Sequence, residues 1–257
     1  MRRIRILSTL AVLLLASGAT SGLAGGHENF EERLNAAIAA PDRPEKDKAR
    51  DANRLPKATL AFFRIDRDQR VLELLPGGGW YSRLLAPALD GTGKLYLAFT
   101  QRTPMALLES ELMKNVEILD LDAPFGKTEH RGIFRVEPFD FGVRDLDAVL
   151  TFRNLHNLTA ESRANMNVAA FAALRPGGVY GVIDHSRRHN EPDEARNWRR
   201  LDPVLVIQEV QAAGFVFEDA SPLHYRPGDP LLEEVGHESV TGRTDRFALR
   251  FRKPRAD

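Results

Sequence analysis

Apolar positions come in short runs separated by stretches that repeat at helical spacing. Val71-Leu72-Glu73-Leu74-Leu75 is a run of strand length closed by Pro76-Gly77-Gly78-Gly79. Beyond it Trp80, Tyr81, Leu84, Leu85, Ala88 and Leu89 fall on one helical face until Gly91, so the segment reads as strand, tight loop and helix. Lys94 to Phe99 predicts a second strand, Pro104 to Lys114 a helix and Val116 to Leu121 a third strand, before a loop-rich stretch from Asp122 to Arg144. Asp147 to Phe152 is the fourth strand. Thr159 then caps a helix whose face is Met166, Ala169, Ala170, Ala173 and Leu174, stopped by Pro176-Gly177-Gly178. Val179 to Ile183 follows as a strand, and Asp202-Pro203 opens a helix that Gly214 ends. Phe215 to Glu218 and Arg246 to Arg252 are the last strands. In the final one Phe247, Leu249 and Phe251 alternate with Arg250 and Arg252, which predicts an antiparallel strand with one exposed face. Strand and helix in alternation require an open, mainly parallel sheet with helices on both faces.

The N-terminus has a different pattern. Arg2, Arg3 and Arg5 precede an unbroken run from Ile6 to Ala16, and small residues lead to Gly22-Leu23-Ala24. A basic start, an apolar middle and a small-residue end make residues 1–24 a secretory signal peptide, cleaved after Ala24 or alternatively Ala19. The expected location is outside the cytoplasm, in the periplasm, with no stable membrane anchor after cleavage, since the run is too short to span a bilayer. Residues 25–57 are charged and helix-friendly, with Pro41, Pro44 and Pro56 dividing them into Phe30 to Ala40 and Glu45 to Leu55. They read as an N-terminal helical extension to a domain over 58–257.

Composition narrows the chemistry. The 36 basic and 36 acidic residues cancel, so no net field attracts nucleic acid, which is not an expected partner. Losing the signal removes only basic charge and leaves a mildly acidic chain. With no cysteine, disulfides, thiolate nucleophiles and cysteine-based metal sites are excluded. Gly-x-Ser-x-Gly and His-Glu-x-x-His are both missing, which speaks against serine hydrolases and zincins.

Ligands of such sheets bind outside the carboxyl ends of the strands. The glycine loop at Pro76 to Trp80 is either a plain turn or a place where backbone approaches a ligand; it lacks the Gly-Lys-Ser/Thr of a P-loop. Phe152-Arg153-Asn154-Leu155-His156-Asn157 puts four polar side chains at the same edge, and Ile183-Asp184-His185-Ser186 adds a second histidine beside a carboxylate. Two histidines after adjacent strands suit general acid/base work near neutral pH. His185 and His189 have the spacing of helical metal ligands, but Arg187 and Arg188 lie between them and no metal is expected. His224 and His237 read as solvated loop residues, and Arg187-Arg188 and Arg199-Arg200 as solvated surface.

These residues resemble the class I S-adenosylmethionine-dependent methyltransferase superfamily. Val71 to Gly79 is similar to its first motif, Asp147 to Asn154 to the motif after its fourth strand, and Leu174 to Gly178 to the segment before strand five. Pro76 to Tyr81, Phe152 to Asn157 and Gly242-Arg243-Thr244-Asp245-Arg246-Phe247 more closely resemble a group of exported bacterial "predicted methyltransferases". The resemblance implies a Rossmann-like three-layer α/β sandwich with an antiparallel last strand, S-adenosyl-L-methionine as cofactor, and a small-molecule acceptor. It implies cofactor contacts from Glu73, Gly77, Gly78, Gly79, Thr100, Asp122, Arg153 and Asn154, with His156 or His185 removing the acceptor proton. Two positions depart from the pattern. Leu75 replaces the first glycine, and Phe99-Thr100-Gln101 replaces the acid that holds the ribose. A non-catalytic exported ligand-binding protein on the same fold is the alternative.

Overall fold

The computed structural model describes residues 24–123, 125–130 and 132–255. Of the signal peptide expected over 1–24, only Ala24 is among them; the rest lies outside the described residues. Four helices come first, α1 (Ala24–Ala39), α2 (Glu45–Lys48), α3 (Asp51–Arg54) and α4 (Pro56–Phe62). Then follow β1 (Arg70–Leu74), α5 (Ser82–Leu89), β2 (Lys94–Ala98), α6 (Met105–Leu108), β3 (Glu117–Ile118), β4 (Phe125–Lys127) and β5 (Phe134–Val136). The chain closes with β6 (Leu146–Phe152), α7 (Ala160–Ala173), β7 (Leu174–His185), α8 (Pro203–Ala212), β8 (Val216–Ser221) and β9 (Arg246–Arg252). Among the described residues no helix is long and apolar enough to cross a membrane.

Seven strands form one sheet in the order β3-β2-β1-β6-β7-β9-β8. All neighbours pair parallel except β9, which runs antiparallel to both β7 and β8. This is a Rossmann-like α/β sandwich whose strand order reverses between β1 and β6, so the cleft belongs at their carboxyl ends. Alternation along the strands divides the core. Leu72, Leu74 and Val149 pack with Met166, Ala170 and Val206 of α7 and α8 on one face. Val71, Ala148 and Leu150 pack with Leu84, Leu85, Phe30 and Leu34 on the other. The N-terminal extension is thus part of the second layer. Arg33 of α1 donates to the carbonyl oxygens of Pro87 and Asp90 at 2.8 Å, satisfying the end of α5.

The expected caps form where they were read. Thr159 Oγ1 accepts from the Ser162 N–H at 3.2 Å, and Asp202 Oδ1 from the Val204 N–H at 2.8 Å, with Pro203 in the first turn. Several elements differ from expectation. Leu174 and Pro176-Gly177-Gly178, read as the end and stop of a helix, belong to β7, and the piece read over Glu45 to Leu55 is two helices, α2 and α3. The helix read over Pro104 to Lys114 is broken at Ser110, which is extended and leads into a single 3-10 turn, Glu111–Met113. The loop-rich stretch contains the hairpin β4-β5. The last strand is antiparallel, but its predicted exposed face is covered: Arg250 lies over the Phe62 ring at 4.8 Å and pairs with Glu218 at 2.7 Å. The cover comes from α4 and β8, both far from β9 in sequence.

Candidate functional site

Strands β1, β2 and β6 each hand over to a non-glycine residue in the left-handed region: Leu75 (φ 52°), Phe99 (φ 60°) and Arg153 (φ 63°). That conformation is costly for residues with a Cβ and turns the chain sharply at the sheet edge. Leu75, where the resembled motif has glycine, keeps the turn by donating its N–H to Ala98 O at 2.9 Å. Asn154 locks the β1 and β6 ends together, its Nδ2 donating to Leu74 O at 3.2 Å and Leu75 O at 3.1 Å.

Between these ends lies a cavity of about 360 Å³ lined by Glu73, Gly77, Gly78, Arg153 and Asn154. Glu73 is fully enclosed on the α5 side and accepts the Ser82 hydroxyl at 2.7 Å. Desolvation pushes its carboxyl up to about 7, against the opposing pull of Ser82 and Arg54. A Cβ at Gly78 would meet nothing within 4 Å, whereas at Gly79 (φ 75°) it would stand 2.2 Å from Leu107 Cδ2. Gly78 therefore leaves room beside the cavity, and Gly79 makes room for the chain's own leucine. Thr100 and Asp122 do not line this cavity. Where the ribose-binding acid was missing from the sequence, Phe99 turns into an aromatic group with Phe125, Phe139 and Phe141.

The outer wall comes from Lys46, Arg50 and Arg54 of the N-terminal extension, which the sequence did not single out, together with Trp80. Arg54 is 6% exposed and sits over the Trp80 ring at 4.6 Å. It forms no ion pair among the described residues, and its Nε has no partner. Burial, then Arg50, pulls its guanidinium down to about 10. Asp47 and Glu73 pull the other way without forming an ion pair with it, and a buried cation so placed is chemically able to receive an anionic ligand group. Only the density of charge in 45–54 hinted at it.

At the same sheet edge the two predicted histidines come together, their ring centroids 5.3 Å apart. His156 occupies a 3-10 turn, Leu155–Asn157. Its N–H donates to Asp184 Oδ2 at 3.2 Å and its Nδ1 is hydrogen-bonded to Asp184 Oδ1. Asp184, 0% exposed, also accepts the His185 N–H at 2.7 Å. An ionised carboxylate only accepts, so it fixes the proton on Nδ1 and leaves Nε2 as the basic nitrogen. His185 Nδ1 meets Thr244 Oγ1 at 2.9 Å. Its pKa lies well below the usual histidine value, owing to burial first and then to His156, Arg246, Arg200 and Arg199.

His156, Asp184 and His185 offer ligand atoms within 4.8 Å of one another, the makings of a cation site. Arg246, which also depresses His185 and has no ion pair among the described residues, would oppose a dication there. His189 is not part of the group; its Nδ1 pairs with Asp202 at 2.8 Å.

Several residues read as solvated are buried instead. His224 is 1% exposed, with Nε2 3.0 Å from Thr59 Oγ1, and burial lowers its pKa to about 3. Arg200 is buried in a two-pronged pair with Asp229 at 2.9 and 3.1 Å, and Arg187 is buried beside Asp193 at 3.0 Å. The partners of His224 and Arg200 are distant in sequence, so local polarity alone misplaced them. The Gly242 to Phe247 segment, flagged by resemblance without a role, supplies Thr244 to His185 and Arg246 to Asn53.

No protein-family model matches the chain, and no curated protein matches it. Solved structures do match in fold. A S-adenosylmethionine-dependent methyltransferase from Aquifex aeolicus has a TM-score of 0.54 at 18% identity, over 85% of this chain and 97% of that one. The 4+2 cyclase SpnF has a TM-score of 0.54 at 16% identity, over 89% and 94%. The Burkholderia thailandensis 1,6-didemethyltoxoflavin-N1-methyltransferase, with bound 1,6-didemethyltoxoflavin and S-adenosylhomocysteine, has 0.52 at 14% identity, over 88% and 87%. The chain has the fold of the S-adenosylmethionine-dependent methyltransferases, as the sequence resemblance implied.

Proposed function

We propose that this protein transfers a methyl group from S-adenosylmethionine to a small-molecule acceptor. The observation carrying this reading is the cavity at the β1/β6 crossover, whose wall includes Asn154, two residues before an imidazole that a buried carboxylate orients. The cavity suits the cofactor on two counts: Gly78 leaves open space, and the unpaired Arg54 matches the amino-acid carboxylate. No carboxylate stands at Phe99 to hold the ribose, so the affinity is expected to be lower than a carboxylate would give, by roughly 1 kcal/mol. When bound, the cofactor supplies a methyl carbon whose bond to sulfur breaks with the electron pair staying on sulfur. Arg54 and the glycine loop hold and orient, and His156 Nε2 takes the acceptor proton while Asp184 offsets the imidazolium charge. His185, held neutral, positions rather than titrates.

Calorimetry with S-adenosylmethionine and S-adenosylhomocysteine tests the cofactor, and transfer of labelled methyl groups tests the reaction. Binding without transfer to any acceptor would favour the ligand-binding alternative, and no binding of either compound would refute the reading. We further propose export, on the Arg2 to Ala24 pattern alone. N-terminal mass analysis of fractionated cells should find the mature protein beginning near Gly25 outside the cytoplasm; an intact Met1 on cytoplasmic protein would refute it.

A further inference from the structure

A second cavity, of about 610 Å³, has His156 as part of its wall. Ile133, Leu158, Trp198 and Leu201 give it apolar sides. Its volume is that of a pocket for a drug-sized molecule. We propose that this cavity binds an acceptor carrying a phenolic hydroxyl on an apolar aromatic body, with the hydroxyl on His156 Nε2. The inference rests on the methyl-transfer reading and adds the acceptor's chemical class.

Charge comes first. The three arginines in the wall are all neutralised by the chain itself. Arg163 is held by Glu209 at 2.6 and 2.7 Å, Arg200 by Asp229, and Arg199 by Glu234. Among the described residues of the wall no arginine is left free to receive an acidic acceptor, Asp193 and Glu194 stand in the same wall, and desolvating an unpaired carboxylate there would be costly. Proton chemistry comes second. His156 Nδ1 is committed to Asp184, while Nε2 has no partner among the described residues. A carboxylic acid is already ionised near neutrality and needs no base. An aliphatic hydroxyl holds its proton about as tightly as water, at a pKa of roughly 15.7, and gives it to an imidazole far less readily than a phenol does. A phenol lies at about 10. The proton would pass to Nε2, Asp184 would stabilise the resulting imidazolium, and the freed oxygen lone pair would form the bond to the methyl carbon as that carbon's bond to sulfur breaks, its electron pair staying on sulfur. Shape comes third: Trp198, half-buried in the wall, gives an aromatic ring a surface to pack on.

The test uses the whole protein without cofactor and three probes of similar size, 4-ethylphenol, 4-ethylcyclohexanol and 4-ethylbenzoate, measured by calorimetry. The phenol is expected to bind at least tenfold more tightly than either of the others, and Leu158→Trp, which fills the cavity, to abolish its binding. As a readout of proton transfer, bound 4-nitrophenol should show a stronger phenolate absorption band with wild type than with His156→Gln at the same pH. Equal affinity for the three probes, or no saturable phenol binding, overturns the proposal. So does zinc binding that displaces the phenol and is lost in His156→Gln, since the trio would then be a cation site. Because these measurements omit the cofactor, failure here leaves S-adenosylhomocysteine binding to be judged separately.

Discussion

Arg246 donates from Nη2 to the carbonyl oxygen of Asn53 at 3.1 Å, joining positions 193 residues apart. Arg226 donates to the same oxygen at 3.2 Å. Asn53 belongs to α3, the helix that carries Arg54 into the cavity wall, so the strand that completes the sheet also pins the cavity's outer side. Arg246 also donates to the Asn53 side-chain oxygen, and replacing it with Met should leave the fold intact but weaken S-adenosylhomocysteine binding about tenfold, equivalent to about 1.4 kcal/mol. Calorimetry alongside circular dichroism checks it.

The two glycines of the loop should separate cleanly. Gly78→Val places its side chain in open space, so the melting temperature should hold while ligand binding is lost. Gly79→Val must displace Leu107 and hold a positive φ, which should cost about 2 to 4 kcal/mol of stability. Melting curves and calorimetry on both variants decide the matter; equal melting temperatures would contradict the packing role given to Gly79.

Glu73 makes stability depend on pH. Its carboxyl titrates at about 7 when folded, against 4.5 for the free group. The folded state therefore retains a proton that the unfolded chain releases. Stability should fall as pH rises from about 4.5 to 7, by an amount on the order of 3 kcal/mol, and level off above that. Glu73→Gln, which keeps a hydrogen-bonding partner for Ser82, should flatten this dependence and melt higher than wild type at pH 8. Denaturant titrations across that range measure it.

The histidine pair should divide by role. His156→Ala is expected to lower turnover by about 10²- to 10⁴-fold with little effect on cofactor affinity. Asp184→Asn should also lower turnover, because the amide no longer enforces the Nδ1 proton. His185→Ala should mainly destabilise: it leaves the Thr244 hydroxyl without its partner, at a cost of about 1 to 3 kcal/mol. Since His185 is held neutral by its surroundings, its removal should not move the pH profile. Steady-state rates with an identified acceptor and melting temperatures, taken for each variant, test the division.

What could be read from the sequence follows the range of the interactions. The β1-loop-α5 unit, the Thr159 and Asp202 caps and the antiparallel β9 were legible because neighbours along the chain specify them. The His156 and His185 edge was legible through topology, since both segments follow adjacent parallel strands. Arg54 was not, because its place depends on contacts from Trp80, Arg226 and Arg246. His224, Arg200 and Arg250 were misjudged for the same reason: each is buried by a partner from a distant element, and local polarity gives no sign of it. Leu75 shows a different limit. A leucine implies ordinary backbone, yet the β1 turn imposes the left-handed conformation that its glycine counterpart would take freely.

The Arg246 contact also sets an order of assembly. The parallel strands can pair before β9 arrives, but the wall containing Arg54 is pinned only once residues near the end of the chain have docked on residues near its beginning. A newly made chain would therefore lack a closed cavity until residue 246 had been added and had docked. If the protein crosses a membrane unfolded, it would have to acquire its ligand at its destination, from whatever supply exists there.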